Sequence, residues 1–180
     1  MAAIIGLGDA EIRRIVDETH TEDSVCAISN LNAPGQTVIA GHRGAIDRAV
    51  EAAQTAGAKR ALMLAVSAPF HSPLMRPARE AMATYLEEAD FHDPAIPVVT
   101  NVDAAPATTG AEVRDALLRQ IDQPVRWVET VGAMVERFGV TTFLEIGPGK
   151  ALCSMIRRIA KGTTTKAVSG PDGLEQLMAA

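Results

Sequence analysis

The first 66 residues alternate short apolar runs with stretches in which apolar residues recur at helical spacing. Asp9 offers a helix N-cap, and Ile12, Ile15 and Val16 follow it on one face of the predicted helix. Residues 30–35 (NLNAPG) carry the Asn, Pro and Gly that are typical of a turn. The order of elements is therefore βαββαβ, as in a ferredoxin-like module. The strands are predicted at 2–7, 24–29, 36–41 and 60–66, and the second helix at 43–56, with Gly57 as its stop.

The rest of the chain also alternates strands and helices, which indicates an α/β fold with a parallel sheet layer. It opens with residues 67–73, in which Pro69 and Pro73 bracket His71 and exclude a regular helix or central strand. The next helix begins either near Pro73 or at Pro77. The later elements are predicted as strands at 96–100, 141–146 and 165–169, and as helices at 111–121, from Pro124, at 150–160 and at 172–179.

Composition and charge argue against several classes of partner. The chain has 17 basic and 22 acidic residues and a net charge of -5, so it lacks the basic excess that binds nucleic acid. No apolar run reaches the roughly 18 residues of a membrane span, and the residues after Met1 lack the basic start of a signal peptide. Cys26 and Cys153 have no metal-binding or redox spacing. These features predict a cytoplasmic protein without nucleic-acid or membrane partners.

His71 is the sharpest candidate for chemistry. It lies in a proline-bounded loop between a strand and a helix, where an imidazole can act as a general base near neutral pH. The alternative is a partly exposed loop histidine without a role. Acyl transfer also needs a nucleophile, and the GxSxG turn that presents a serine is absent, because Arg43 stands in the serine's place in the nearest string, GHRG. Ser72 follows His71 directly, but adjacency in sequence does not create triad geometry.

Two further features leave alternatives open. Residues 147–150 (GPGK) lead from a strand into a helix, so they form either an anion site at the helix N-terminus or a tight turn that packs closely. His20, His42 and His92 lie in acidic or polar surroundings without HxxxH or HExxH spacing. This pattern predicts surface positions and no metal site.

Eight strings of the sequence match, in order, a known family of acyltransferases. The chain resembles malonyl-CoA:acyl-carrier-protein transacylases, and it is more distantly similar to the acyltransferase domains of polyketide synthases. The resemblance covers nearly the whole chain, and the strings together are more specific than any one of them. They are IIGL at 4–7, SNLNAPGQTVIAGH at 29–42, AGAKRAL at 56–62, VSAPFHSPLM at 66–75, PVVTNVDA at 97–104, RDALLRQI at 114–121, PVRW at 124–127 and EIGPGKAL at 145–152.

The resemblance implies a layout in two parts. In the family, an α/β-hydrolase-like large subdomain is interrupted by a ferredoxin-like small one. Residues 1–64 then correspond to the small subdomain, and residues 65–180 to the C-terminal part of the large one. The family's GQGSQ opening, its GHSxGE nucleophile turn and the arginine that pairs with the malonyl carboxylate precede this region and are absent from the sequence. The resemblance thus implies a missing N-terminal half: either Met1 is an internal methionine or a mis-called start, or a second gene product supplies that half.

The resemblance also implies roles for five residues. His71 matches the catalytic histidine of the family, and Gln120 matches the residue whose backbone carbonyl orients that histidine in place of an aspartate. Asn30 and Asn32 match an Asn-x-Asn loop beside the active-site cleft. Phe70 matches a position at which, in related polyketide domains, phenylalanine accompanies malonyl selection and serine accompanies methylmalonyl selection. Packing of the Phe70 ring into the core is the alternative for this residue.

The implied function is transfer of malonyl from malonyl-CoA to acyl carrier protein in fatty acid biosynthesis, through a serine ester. It needs no metal or redox cofactor, since the coenzyme A thioester and the phosphopantetheinyl carrier are substrates. Because the serine is absent, the chain alone is expected to be inactive. Two alternatives stay open: a non-catalytic binding or scaffold module with a ferredoxin-like domain, and an unrelated hydrolase that uses Ser72 or Cys153.

Overall fold

The computed structural model describes residues 1–178, and of residue 176 only the backbone. Contacts between residues divide the chain into two compact units, one formed by residues 1–130 and the other beginning at Val131. The boundary between residues 64 and 65, which the family resemblance implies, is a different division and stays a prediction. Within the described residues, no helix is both long enough and apolar enough to cross a bilayer.

The first unit begins with four strands and two helices. Its elements are β1 (Ala2–Ile5), α1 (Asp9–Thr19), β2 (Cys26–Ala33), β3 (Gln36–Gly41), α2 (Arg43–Thr55) and β4 (Arg60–Met63). The strands form one antiparallel sheet in the order β2-β3-β1-β4, so β1 and β3 are its central strands. This succession of elements agrees with the βαββαβ order predicted from the sequence.

The core of this sheet is built mainly from aliphatic side chains. The isoleucines with no exposed surface are Ile4, Ile12, Ile15, Ile39 and Ile46. Burial of one such side chain contributes about 1.5–3 kcal/mol relative to leaving it exposed. The helix α2 adds three fully buried alanines, whose short side chains let its backbone approach its neighbours closely: Ala45, Ala49 and Ala53. Close approach of this kind fills a core that has few aromatic rings.

The predicted turn at residues 30–35 is wrong in its extent, because β2 continues to Ala33. Leu31 and Ala33 are both buried, and both pair with residues of β3. Strand pairing together with burial outweighs the turn preference of the asparagines in this string. Only Pro34 and Gly35 form the turn, and Gly35 adopts a φ of +67°, which costs a glycine little.

Asn30 and Asn32 therefore lie in a strand, and the loop that the resemblance implied for them is not present. The strand is irregular at this point, because its register against β3 shifts between Ile28 and Asn30. Asn30 also forms an isolated parallel bridge with Val125. A β-bulge of this kind turns side chains away from strict alternation and is common beside functional sites.

The remainder of the first unit is mostly helical. Its elements are a 3-10 turn (Pro73–Met75), α3 (Arg76–Glu88), β5 (Val98–Val99), β6 (Pro106–Ala107), α4 (Gly110–Gln120) and the start of α5 (Trp127–Phe138). Two starts were predicted for the helix after His71. The 3-10 turn begins at the first of them, Pro73, and the second, Pro77, lies in the first turn of α3. At the beginning of the unit, Gly8 is the N-cap of α1, and Asp9 is the first helical residue instead of the predicted cap.

The second unit contains a parallel pair of strands. Its elements after α5 are β7 (Thr142–Ile146), α6 (Ala151–Ile159), β8 (Thr164–Val168) and α7 (Pro171–Met178). The predicted parallel layer is confirmed for β7 and β8. It is wrong for the strand predicted at 96–100, which shortens to β5 and pairs antiparallel with β6. The helix predicted at 172–179 corresponds to α7, and residue 179 lies outside the described residues.

Two glycines give a test of this packing. A Cβ added at Gly41, in β3, would lie 2.0 Å from the carbonyl oxygen of Val25, whereas one added at Gly132, in α5, would meet nothing within 4 Å. We expect Gly41→Ala to destabilise the chain by about 1–3 kcal/mol, since the backbone of a neighbouring segment must move. The matched change Gly132→Ala should stabilise it by about 0.5–1 kcal/mol, because alanine is the better helix former.

Urea denaturation followed by circular dichroism measures both free energies of unfolding. A Gly41→Ala chain as stable as the unsubstituted protein would contradict the close approach of Val25 to β3.

Candidate functional site

The backbone at His71 has an uncommon conformation. Its φ is +55°, in the left-handed region that side-chain-bearing residues seldom adopt. Such a conformation costs about 1–3 kcal/mol and persists only where the surroundings fix it. Two hydrogen bonds do so locally: the Ser72 hydroxyl donates to the Pro69 carbonyl at 2.6 Å, and the Met75 N–H donates to the Ser72 carbonyl at 2.9 Å. The loop therefore presents the His71 ring in one direction.

The His71 ring contacts the end of α4. Its Nδ1 lies 2.8 Å from the backbone carbonyl oxygen of Gln120, the last residue of that helix. A carbonyl oxygen can only accept, so Nδ1 carries the proton of the neutral ring. The other nitrogen, Nε2, is then left with its lone pair. The Gln120 side chain donates to the Gln123 carbonyl at 3.1 Å, which keeps the amide beside the ring. This tautomer leaves His71 able to take a proton at Nε2.

A second contact fastens the loop to β2 through Ser29. This buried serine places its hydroxyl oxygen 3.0 Å from the carbonyl oxygen of Phe70 and 2.6 Å from Oδ1 of Asn30. A hydroxyl carries one proton, so it donates to one of these oxygens at a time. The backbone just before His71 is thereby tied to the sheet. Sequence reasoning did not single out Ser29, which lies inside the SNLNAPGQ string but forms its bond with a residue far along the chain.

The same stretch of β2 also holds the segment that follows Gln120. The Val125 N–H donates to the Ser29 carbonyl at 2.8 Å, and the Leu31 N–H donates to the Val125 carbonyl at 2.9 Å. The loop of His71 and the segment after α4 are thus fastened to one strand. This shared support explains how two parts of the chain that are distant in sequence meet at the His71 ring.

Phe70 and Asn32 stand apart from this network. Phe70 is 40% exposed, so in this chain it is not buried in the core. Asn32 is half-buried, and among the hydrogen bonds of the described residues none involves its side chain. Of the five residues that the sequence nominated, the structure thus brings together the side chains of His71, Gln120 and Asn30, while Phe70 takes part only through its backbone carbonyl. Their catalytic and binding roles stay predictions.

An ion pair that the sequence did not indicate lies next to this cluster. Nη1 of Arg79, in α3, is 3.3 Å from both carboxylate oxygens of Asp122, two residues beyond the end of α4. The Asp122 side chain is only 3% exposed, and that of Arg79 is 34% exposed. A buried carboxylate needs a compensating cation, and Arg79 supplies it.

The alternative nucleophiles are poorly placed for catalysis. The Ser72 hydroxyl is fully buried and bonded to the Pro69 carbonyl. Burial raises the pKa of the Cys153 thiol, and the nearby Glu145 carboxylate raises it further. The pKa of the Cys26 thiol is also raised, chiefly by burial. A thiol with a raised pKa forms little thiolate and reacts slowly. These observations argue against a hydrolase that uses Ser72 or Cys153.

The glycine-rich turn at 147–150 is already occupied by a carboxylate. Glu145 accepts hydrogen bonds from the N–H groups of Leu152 at 3.1 Å and of Cys153 at 2.8 Å, at the start of α6. These backbone bonds lower the pKa of Glu145. An external anion would meet this negative charge where the helix N–H groups point. The structure therefore favours the tight turn over the anion site.

His20, His42 and His92 are all exposed, which confirms their predicted surface positions, and the first two also make structural contacts. His20 Nδ1 accepts from the Cys26 N–H at 3.2 Å, and His42 Nδ1 accepts from the Val25 N–H at 2.9 Å. Across the described residues, no group of three or more histidine, cysteine, aspartate or glutamate side chains is placed to hold a metal ion.

Two curated proteins are similar to this chain over most of its length. The malonyl CoA-acyl carrier protein transacylase of Escherichia coli (strain K12) is 45% identical over 174 residues, which are 97% of this chain and 56% of that protein. The protein of the same name from Bacillus subtilis (strain 168) is 40% identical over 175 residues, which are 97% of this chain and 55% of that protein. No protein-family model matches the sequence.

Solved structures agree with these relatives. The acyl-carrier-protein S-malonyltransferase of Burkholderia pseudomallei 1710b matches with a TM-score of 0.93 and 43% identity, over 99% of this chain and 58% of that one. A malonyl-transacylase in complex with a type II PKS acyl-carrier protein matches with a TM-score of 0.93 and 42% identity, over 99% and 57%. This chain spans about half the length of the curated relatives it matches. By sequence and by fold, over the part of the family's length that it spans, the chain belongs to the malonyl CoA-acyl carrier protein transacylase family.

Proposed function

We propose that this chain supplies the general-base half of an acyltransfer site that moves malonyl from malonyl-CoA to acyl carrier protein in fatty acid biosynthesis. The observation that carries the proposal is the His71 ring, whose Nδ1 faces the Gln120 carbonyl at 2.8 Å and whose Nε2 keeps its lone pair. The names of the relatives support the reaction, and the complex of one of them with an acyl-carrier protein supports the partner. We also propose that the protein acts in the cytoplasm.

The proposed nucleophile is a serine on a GxSxG turn. This chain has no such turn, so the serine comes from outside it. As the serine hydroxyl attacks the thioester carbonyl of malonyl-CoA, Nε2 of His71 takes its proton. The resulting imidazolium then gives that proton to the sulfur of coenzyme A as the carbon–sulfur bond breaks, which leaves malonyl as a serine ester. The thiol of the carrier attacks the ester in the same way, and His71 returns the proton to the serine oxygen. No metal or redox cofactor takes part.

The Gln120 carbonyl does the work of a triad aspartate in this scheme. It fixes the tautomer and the direction of the ring through a neutral hydrogen bond, and its partial negative charge favours the imidazolium that forms during each step. The position at the end of α4 strengthens this effect, since the last carbonyls of a helix lack partners within the helix and carry the negative end of its dipole.

The layout of the family assigns residues 1–64 to a ferredoxin-like small subdomain and residues 65–180 to the C-terminal part of an α/β-hydrolase-like large subdomain. The antiparallel order β2-β3-β1-β4 supports the first assignment. The second is supported by the parallel pair β7–β8, on which Leu144 is 43% exposed and Ile146 is 76% exposed. Parallel strands are ordinarily covered on both faces. We therefore infer that the N-terminal half of the family covers the exposed face that carries Leu144 and Ile146.

Complementation tests the proposed function. The purified chain mixed with malonyl-CoA should show no increase in mass, because it lacks the nucleophile. Coexpression with the N-terminal half of the Escherichia coli relative should give an enzyme that becomes malonylated and passes malonyl to acyl carrier protein. The same half with its nucleophilic serine replaced by alanine is the control. A stoichiometric malonyl adduct on this chain alone, or a stable complex of the two halves without transfer, would contradict the proposal. The second result would favour a binding module.

The base role of His71 predicts a large kinetic effect in the complemented enzyme. His71→Ala should lower kcat by about two to four powers of ten, the usual contribution of a general base. Gln120→Ala should cost much less, because alanine keeps the backbone carbonyl that the ring contacts. The exposed His92, replaced by alanine, is the matched control. Malonyl transfer to carrier protein is the measurement, and a His71→Ala enzyme near the unsubstituted rate would remove His71 from the mechanism.

Phe70 gives a prediction about substrate choice. Its partly exposed ring directly precedes His71, where it can occupy the space that an α-methyl branch on the acyl group would need. Phe70→Ser in the complemented enzyme should raise the kcat/KM ratio of methylmalonyl-CoA to malonyl-CoA by a factor that corresponds to about 1–3 kcal/mol. Competition between the two thioesters measures this ratio. A ratio that stays constant while the melting temperature falls would show that the ring serves packing.

A further inference from the structure

The bond between His71 and Gln120 joins two segments that lead into helices. His71 precedes the 3-10 turn and α3, and Gln120 ends α4. The ion pair of Arg79 and Asp122 crosses between the same two segments, with Nη1 of Arg79 3.3 Å from each carboxylate oxygen. Both contacts therefore span one junction, and the ion pair lies only a short distance along the chain from each partner of the histidine bond.

Each side of this junction is continuous in structure. Between His71 and Arg79 the backbone passes through the 3-10 turn directly into α3, with the Met75 N–H bonded to the Ser72 carbonyl at 2.9 Å. On the other side, the Gln123 N–H donates to the Arg119 carbonyl at 3.1 Å, so helical bonding continues past Asp122. Hydrogen-bonded backbone thus connects each partner of the ion pair with one partner of the histidine bond.

Burial gives this ion pair more influence than an exposed one has. Exposed pairs contribute little to stability, because water screens them and both side chains lose freedom. The Asp122 carboxylate is 3% exposed, and removal from water requires that a cation stay beside it. One guanidinium nitrogen is equally distant from the two oxygens, without a two-pronged fork, so opposite charge contributes more to the pairing than donor geometry does.

The histidine needs such external support. A φ of +55° is held by the surroundings and not by the preference of the residue itself. A catalytic group is useful only when it is held within roughly 0.5 Å of its working position. The hydrogen bonds inside the loop, from Ser72 and Met75, fix its shape, and the Ser29 hydroxyl ties the loop to β2, but none of these bonds reaches α4 directly.

We propose that Arg79 and Asp122 are positioning residues, whose buried ion pair holds the His71 loop against the end of α4 and so maintains the bond from His71 Nδ1 to the Gln120 carbonyl. The consequence for catalysis rests on the proposed function of His71. The effect on the ring itself does not, because the contact of His71 with Gln120 exists in the chain whatever reaction it serves.

Nuclear magnetic resonance of the full chain with ¹⁵N-labelled histidine tests the proposal. At about pH 8, above the usual titration range of imidazole, the unsubstituted chain should show His71 as the single Nδ1–H tautomer. Asp122→Asn keeps the shape of the side chain and removes its charge, and Arg79→Met removes the cation. Both should convert the His71 signals to an average of the two tautomers, whereas Arg79→Lys, which keeps the positive charge, should retain most of the original pattern.

A control separates positioning from general loss of stability. Ile46→Ala truncates a fully buried side chain of the core beneath α2 and should leave the His71 signals unchanged at a comparable loss of stability. If Arg79→Met does not fold, Asp122→Asn alone decides the test. That variant leaves no buried charge without a partner, because the partly exposed Arg79 side chain can turn toward water. Unchanged His71 signals in folded Asp122→Asn would overturn the proposal.

The complemented enzyme supplies the catalytic readout. Asp122→Asn should lower kcat for malonyl transfer by about 10- to 100-fold with little change in KM, because a displaced base affects the chemical step more than substrate binding. If the complemented enzyme transfers no malonyl at all, the proposed function fails while the resonance experiment still decides the role of the ion pair. A tautomer change without a change in kcat would show that Asp122 supports the bond but that the bond is not needed for transfer.

Discussion

The hydrogen bond from the His71 ring to the Gln120 carbonyl is the contact around which this part of the chain is organised. It joins residues 49 positions apart, at 2.8 Å, through a loop whose backbone is strained and a helix end whose carbonyl would otherwise lack a partner. Ser29 fastens the loop to β2, and the bonds of Val125 fasten the other side to the same strand. The sheet thus acts as a common base for two distant segments.

Much of the fold was predictable, because it follows from local periodicity. The isoleucines and alanines of α1 and α2 recur at the spacing of one helix face, and the strands around them are short apolar runs. The prediction was wrong where tertiary pairing overrode local preference. Residues 30–33 contain two asparagines that favour turns, but burial of Leu31 and Ala33 and their pairing with β3 extend the strand through them. The strand predicted at 96–100 is shorter in the structure, because only two residues of β6 pair with it.

The candidate site was predictable only where the family's strings carried it. His71 also stood out from local sequence, since two prolines bracket it, but Gln120 is an ordinary helix residue without the resemblance. Ser29, Arg79 and Asp122 carried no local signal. Their bonds connect positions 41 and 43 residues apart, and the sequence does not state which distant residues meet. In the same way, the string GPGK suggests an anion site until the structure places the Glu145 carboxylate on the helix N–H groups.

The Glu145 carboxylate also makes the start of α6 dependent on protons. Its pKa lies below the ordinary value because the N–H groups of Cys153 and Leu152 stabilise the charged form. A carboxyl whose folded-state pKa is depressed stabilises the fold above its unfolded-state pKa, and that contribution disappears as the pH falls through the folded value. The aliphatic core beneath α1 and α2 has no such dependence. Acid therefore weakens the start of α6 as it weakens the start of α4 in the first unit, where the N–H groups of Thr108 and Thr109 lower the pKa of Glu112.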